Sequence, residues 1–275
     1  MKRVLLIFLF SLNYNNLYAL NSHTDDYKPT VLITGSTKGH GLAFVKDYAE
    51  RGWNVIATCR SPDSAYRLNA FAELNVNVTV EKLDLTDFTG IKLLAKKYYD
   101  QPIDVLNLNG AINTFRSSPN KFGNINYKWF EEIMRVNVIG QLYTAEIFLE
   151  NVLKSKMKKI AVMSATGGSI SDVKSPIAPS YKSSKAALNM IMRTFGEEVK
   201  SRGGIVLIIA PGTIDAEDYM NPKNIKAIPN QFKRMIKMDY LIPRSAIQNI
   251  IDLINTLTIK DIYYFHKWDG TKLNW

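Results

Sequence analysis

Thr30-Val31-Leu32-Ile33-Thr34-Gly35-Ser36-Thr37-Lys38-Gly39-His40-Gly41 is the stretch that decides the fold of this chain. Thr30–Ile33 reads as a buried strand, the glycines as a tight turn, and the residues from Leu42 follow the helical period. A strand, a glycine-rich turn and a helix N-terminus leave bare backbone N–H groups beside a space the size of a phosphate. The glycines give the turn its freedom, admit a pyrophosphate to the backbone and permit close packing of helix on strand. Gly35, Ser36, Thr37, Lys38, Gly39, His40 and Gly41 are therefore candidate cofactor-binding residues. His40, at the helix start, reads as packed or solvent-facing rather than catalytic.

Working outward, apolar strand candidates follow at Trp53–Thr58, Val76–Leu83, Ile103–Leu108, Lys159–Ser164, Gly204–Ala210 and Ile262–Phe265. Amphipathic stretches lie between them, at Leu42–Arg51, Ser64–Leu74, Phe88–Tyr99, Tyr127–Leu153, Ser180–Lys200 and Ser245–Leu257. Strands alternating with helices of this length predict βαβ units and a parallel sheet covered on both faces. The expected class is α/β, a single Rossmann-type doubly wound domain over residues 29–275. A chain of 275 residues, 46% hydrophobic, suffices for one such core.

Residues 1–28 stand apart. Lys2-Arg3 precede the apolar run Val4–Phe10, the chain turns polar at Asn13, and Leu17-Tyr18-Ala19 ends in a small residue. These are the parts of a secretory signal peptide over residues 1–19, too short to span a bilayer. Residues 20–28 then read as a polar tether. Export to the periplasm or outside the cell is the expectation, with a cytoplasmic protein as the alternative. Cys59 is the lone cysteine, which excludes an internal disulfide and leaves the redox compartment open.

The net charge is +10, with its cations scattered. The run Lys154-Ser155-Lys156-Met157-Lys158-Lys159 reads as a solvated helix C-terminus, where cations favour the dipole. Without interleaved aromatic platforms, neither an anionic surface nor a nucleic acid is the expected partner of this run. A polyanionic cofactor accounts for some of the positive charge. Arg60 ends the second strand about 20 residues past the glycine loop, where the side chain that reads the ribose belongs. Its planar fork suits a 2′-phosphate, and Lys38 adds a second positive charge. NADP(H) is thus favoured over NAD(H).

Far downstream, Tyr181-x-x-x-Lys185 places a phenol and an ammonium on one face of a helix. A nearby ammonium favours tyrosinate, so Lys185 is expected to lower the Tyr181 pKa toward the working range. The loop T-G-x-x-x-G-x-G and the pair Y-x-x-x-K together resemble the short-chain dehydrogenase/reductase family. The resemblance implies an NAD(P)-dependent oxidoreductase that reduces a small carbonyl compound, or oxidises the alcohol. It implies that Tyr181 is the acid/base, that Lys185 also holds the nicotinamide ribose, and that Asn137 ties a water into a proton relay. Asp84-Leu85 matches the family's pair beside the adenine; a helix N-cap is the competing reading of Asp84.

Departures from the family pattern accumulate. Ala165 fills the position of the hydroxyl that orients the substrate carbonyl, and a methyl donates no hydrogen bond. Ser164, Thr166 and Ser169 are the candidates to replace it, and Ser164 and Thr166 join the catalytic set. Leu108-Asn109-Gly110-Ala111 stands where the family writes N-N-A-G, leaving Asn109, Gly110 and Ala111 as cofactor neighbours. Pro211-Gly212-Thr213-Ile214-Asp215-Ala216 matches P-G-x-x-x-T with Ala216 in place of the threonine; Pro211, Gly212 and Ile214 are retained as cofactor residues. The tail, with Asp269-Gly270 and Trp275, resembles the sniffer/C-factor-like carbonyl reductases, and Trp275 is expected to pack as an apolar clamp. These substitutions keep open an alternative: a nucleotide-binding pseudoenzyme acting as sensor or extracellular signal. No metal site and no stable membrane span are expected, and a homo-oligomer is left open.

Overall fold

The computed structural model describes residues 27–112, 121–215 and 242–275. Met1–Ala19, the tether as far as residue 26, Ala216 and nearly all of the apolar loop Asp215–Tyr240 lie outside the described residues.

The buried runs become strands β1 (Thr30–Ile33), β2 (Asn54–Cys59), β3 (Val78–Lys82), β4 (Val105–Leu108), β5 (Lys159–Met163), β6 (Ile205–Ala210), β7 (Phe265–Lys267) and β8 (Lys272–Leu273). They form one sheet in the order β3-β2-β1-β4-β5-β6-β7-β8. Leu32 lies opposite Ile56 on one side and Leu106 on the other. Every pair is parallel except the β7–β8 hairpin. β1, β4 and β5 are buried along their whole length, as parallel strands covered on both faces must be.

The helices are α1 (Gly39–Glu50), α2 (Tyr66–Glu73), α3 (Phe88–Lys97), α4 (Tyr127–Met134), α5 (Gln141–Ile147), α6 (Leu149–Leu153), α7 (Pro179–Ser201) and α8 (Ala246–Thr256). One core sets Phe44, Tyr48, Leu68 and Ile250 of α1, α2 and α8 against Val31 and Ile33. The other sets Ile91, Phe148, Leu188 and Met192 of α3, α5–α6 and α7 against Leu32. Alternate β1 residues thus serve opposite faces, each such side chain contributing about 1.5–3 kcal/mol by its burial. The winding reverses between β1 and β4, which opens a crevice above the C-terminal ends of those strands.

Four details differ from the sequence expectation. The stretch Tyr127–Leu153 is not one helix: Arg135–Gly140 forms a π-helical turn, and Phe148 separates α5 from α6. The seventh strand starts at Phe265, because its parallel pairing runs Ile208 to Phe265 and Ala210 to Lys267. Lys159 is no solvated cation, since its buried Nζ donates to Ile254 O at 2.6 Å and Asn255 O at 2.8 Å, closing the C-terminus of α8. Tyr27, at the end of the tether, docks on the domain, its hydroxyl 2.6 and 2.7 Å from the two carboxylate oxygens of buried Asp104. Trp275 does pack, its ring stacked on Phe265 at 5.6 Å. Among the described residues no helix is long and apolar enough to cross a membrane, and no group of three His, Cys, Asp or Glu side chains gathers to hold a metal ion.

Candidate active site

The glycine loop sits on the crevice, bolted to the strands beside it. Thr34 N–H donates to Asn107 O at 3.0 Å, and Ser36 N–H to Thr58 O at 2.9 Å. Ser36 is buried and its hydroxyl donates to Ile33 O, so both its donors serve the loop itself. Asn109 spends its amide on Thr34 O and Gly35 O, at 3.0 and 3.2 Å, while Gly110 N–H donates to Thr34 Oγ1. Gln141 holds Gly110 O from the helix behind. A methyl on Gly41 would overlap Gly35 O, so only glycine lets α1 start this close to the turn. Gly39, at φ 58°, has the opposite surroundings: a methyl there would meet nothing within 4 Å.

That open space lies at the start of α1. Lys38, in the cap position, makes no side-chain capping bond, and no acidic residue occupies the first turn. The first N–H groups of the helix are thus left for a ligand, and an anion is the group their dipole favours. The cradle fits the pyrophosphate of a dinucleotide. Thr37 is half-buried in the loop, and Lys38 and Arg60 are exposed at its rim, Arg60 directly after the last residue of β2. Asp84 is not a helix cap; Asp87 caps α3, and Asp84 instead accepts from Thr86 N and Thr86 Oγ1 at 2.8 Å each. Leu85 is buried against Gly110 and Gly140, and Ala111 is exposed.

His40 links this loop to the segment after β6. Its Nε2 accepts from Ile214 N–H at 3.3 Å, while Ile214 pairs with Ile242. Pro211 is buried and Gly212, at φ 74°, lies against Ile242. Burial, then the charge of Lys185, push the His40 pKa down to about 4, so the imidazole is neutral and accepts at neutral pH.

Tyr181 stands in the first turn of α7, after Ala178 in the left-handed conformation at φ 56°. Lys185, one turn on, is buried and donates to Met163 O at 2.9 Å, with its Nζ 5.8 Å from the centre of the Tyr181 ring. Burial pushes the Lys185 pKa down to about 8 and that of Tyr181 up to about 12. The expected lowering of Tyr181 is therefore corrected: loss of water outweighs the ammonium, and the phenol stays protonated.

Asn137, fully buried in the π-helical turn, clamps the end of the β4 loop. Its Oδ1 accepts from Ile112 N at 2.8 Å, and its Nδ2 donates to Ile112 O at 2.9 Å and Ser184 Oγ at 3.1 Å. Ser184 in turn donates to Tyr181 O at 2.7 Å. Asn137 and Tyr181 are joined through Ser184, a residue the motif reading missed; its place one turn past Tyr181 was the available signal. At the end of β5, Ser164 donates to buried Asn189 at 2.5 Å, and Ser169 to Asp172 at 3.1 Å, so both hydroxyls have partners. Ala165 is half-buried, and Thr166 is exposed in the short 3-10 turn Thr166–Gly168.

The family model for the short chain dehydrogenases matches residues 29–226. The chain belongs to the short-chain dehydrogenase family. It is an NAD(P)-dependent oxidoreductase of that family. An uncharacterized oxidoreductase of Schizosaccharomyces pombe is 27% identical over 248 residues, covering 88% of this chain and 96% of its own. The 1-hydroxy-2-glutathionyl-2-methyl-3-butene dehydrogenase of Rhodococcus sp. is 27% identical over 250 residues, 90% of this chain and 99% of its own. The NADPH-bound carbonyl reductase from chicken fatty liver superposes with a TM-score of 0.76 at 24% identity, covering 90% of this chain and 99% of its own. The carbonyl reductase Sniffer of D. melanogaster gives 0.74 at 21% identity, over 90% and 100%. These last two share the fold.

Proposed function

We propose that this protein reduces a small carbonyl compound with NADP(H), or oxidises the corresponding alcohol. The observation that carries the reading is the buried Lys185 one turn from Tyr181, at the C-terminal end of β5 and close enough to His40 of the glycine loop for its charge to lower the His40 pKa. Gly39, His40 and Gly41 would hold the pyrophosphate with their N–H groups, and Arg60 and Lys38 the 2′-phosphate. Bound NADPH supplies the hydride that the protein itself lacks. The protein's part is position and proton. With its pKa near 12 the Tyr181 hydroxyl keeps its proton at neutral pH and gives it to the carbonyl oxygen as that oxygen becomes negative. Lys185 brings a positive charge below the phenol, which favours the tyrosinate left behind. Asn137 and Ser184 fix the backbone of Tyr181, so the proton is delivered from a constant place. Thr166 is the residue next to Ala165 whose hydroxyl could orient the carbonyl.

The test is titration of the purified protein with NADPH and NADH, followed by turnover on aldehydes, ketones and diones. NADPH should bind more tightly, and Arg60→Asp should reverse or abolish that preference. Tighter NADH binding would sink the role given to Arg60 and Lys38. Tight NADPH binding with no turnover on any carbonyl would leave a nucleotide-binding protein instead.

A further inference from the structure

We propose that the end of the sheet opposite the cofactor crevice is a docking surface for an anionic lipid bilayer. All the connections that enter parallel strands open on this end, and four of the five between β3 and β5 carry its character: the approach to β1, and the turns before β3, β4 and β5, with the turn before β2 lying between the first two. With strands about 4.8 Å apart, β3 to β5 span roughly 19 Å of one continuous face.

Charge comes first. Lys28, Lys154, Lys156 and Lys158 occur in these connections and Lys96 and Lys97 in the last turn of α3, against the carboxylates of Glu50 and Glu73 at the ends of α1 and α2 and of Asp100. Lys97 is engaged by Glu81 at 2.5 Å. Asp104, beneath the patch, is buried and turned inward to Tyr27 and to Thr30 N–H. Folding also supplies the aromatic platforms that the lysine run lacks as a sequence. Lys154 Nζ lies 4.1 Å from the centre of the Tyr99 ring, and Lys156 Nζ 4.1 Å from that of Tyr27.

Apolar side chains stand out of the same end. Leu74 and Val76, in the turn before β3, are 84% and 105% exposed, and Tyr99 is 65% exposed. A basic surface with protruding aliphatic and tyrosine side chains matches the boundary between lipid headgroups and acyl chains. A nucleic acid would use the lysines but has no use for Leu74 and Val76, which offer no ring for a base to stack on.

The direction of the chain agrees. The Tyr27–Asp104 bond fixes the point of entry at this end, and sixteen residues separate Tyr27 from the apolar run Val4–Phe10 with its leading Lys2-Arg3. Sixteen residues reach at most about 55 Å. In a chain that keeps this apolar run, the run is tethered at this end of the sheet.

Sedimentation of the full chain with phosphatidylcholine vesicles, with and without phosphatidylserine, tests the surface. The chain should partition onto the anionic vesicles and leave them as salt is raised. Lys28→Glu, Lys96→Glu and Lys154→Glu together should weaken that partition by at least about fivefold per lysine, with an unchanged thermal melt to show a folded protein. Leu74→Ser with Val76→Ser should weaken it while keeping the salt dependence. Equal partition onto neutral and anionic vesicles, unchanged in the charge-reversed protein, would overturn the inference, because the apolar run alone would then account for binding. Binding to duplex DNA without binding to vesicles would overturn it too.

Discussion

On the function proposed above, Ala165 is the residue whose change should most raise the rate. It stands two residues past β5 with a methyl where, on that reading, a hydroxyl would donate to the substrate oxygen, and the neighbouring Ser164 is already committed to Asn189. Loss of one such donor typically slows an enzyme by roughly 10²–10³. Restoring it as Ala165→Ser is expected to raise turnover on a reactive aldehyde by roughly tenfold or more, and Tyr181→Phe to lower the parent's turnover by roughly 10²–10⁴. Initial rates with saturating NADPH decide the point. An Ala165→Ser protein slower than the parent would mean that Thr166 already serves. Ala165, Tyr181 and Lys185 were legible in the sequence because motif spacing alone places them. Ser184 and Asn189 were not, since each matters only through a partner, Asn137 or Ser164, that lies 47 or 25 residues away along the chain.

At the scale of elements, continuous apolar runs predicted the inner strands well, because a strand buried on both faces leaves little room for another pattern. The stretch Tyr127–Leu153 shows where periodicity fails. A 3.6-residue repeat cannot reveal the one-residue insertion of a π turn, and Asn137 lies in that turn. The two-residue strand β8 was equally silent, being too short to show alternation. The π turn is held by what Asn137 does for the β4 loop. Asn137→Ala would strip partners from Ile112 N–H, Ile112 O and Ser184 Oγ together. At about 1–3 kcal/mol per buried group left unpaired, partly relieved by water, the expected loss is about 3 kcal/mol. In a domain of this size that is a fall in Tm of roughly 8 °C. A melt within about 1 °C of the parent would show that the clamp is not what keeps the turn.

The whole molecule carries a net charge of +10 at pH 7, and acid adds to it as carboxylates take up protons. Self-repulsion therefore weakens the fold on acidification whatever else titrates. His40 adds a sharper contribution, because it bridges the glycine loop and the segment after β6 as a neutral acceptor. Its folded pKa of about 4 lies below the usual 6.5, so between those values the unfolded chain binds more protons than the folded one. The stability due to neutral His40 is present in full above pH 6.5, falls as the pH drops, and is gone once the pH passes below about 4. A shift of this size corresponds to about 3 kcal/mol. Lys185 follows the same sign in another window: its folded value of about 8 lies below 10.5, so stability should rise as the pH is taken from 8 to 10.5. His40→Gln keeps an oxygen to accept from Ile214 N–H but cannot titrate. Urea unfolding at neutral pH and again at a pH just above 4 separates the two effects, since general repulsion acts alike on parent and variant. The parent should lose about 2–3 kcal/mol more than His40→Gln on acidification. Equal losses would show that the imidazole takes up its proton without breaking the link between the cofactor loop and the segment after β6.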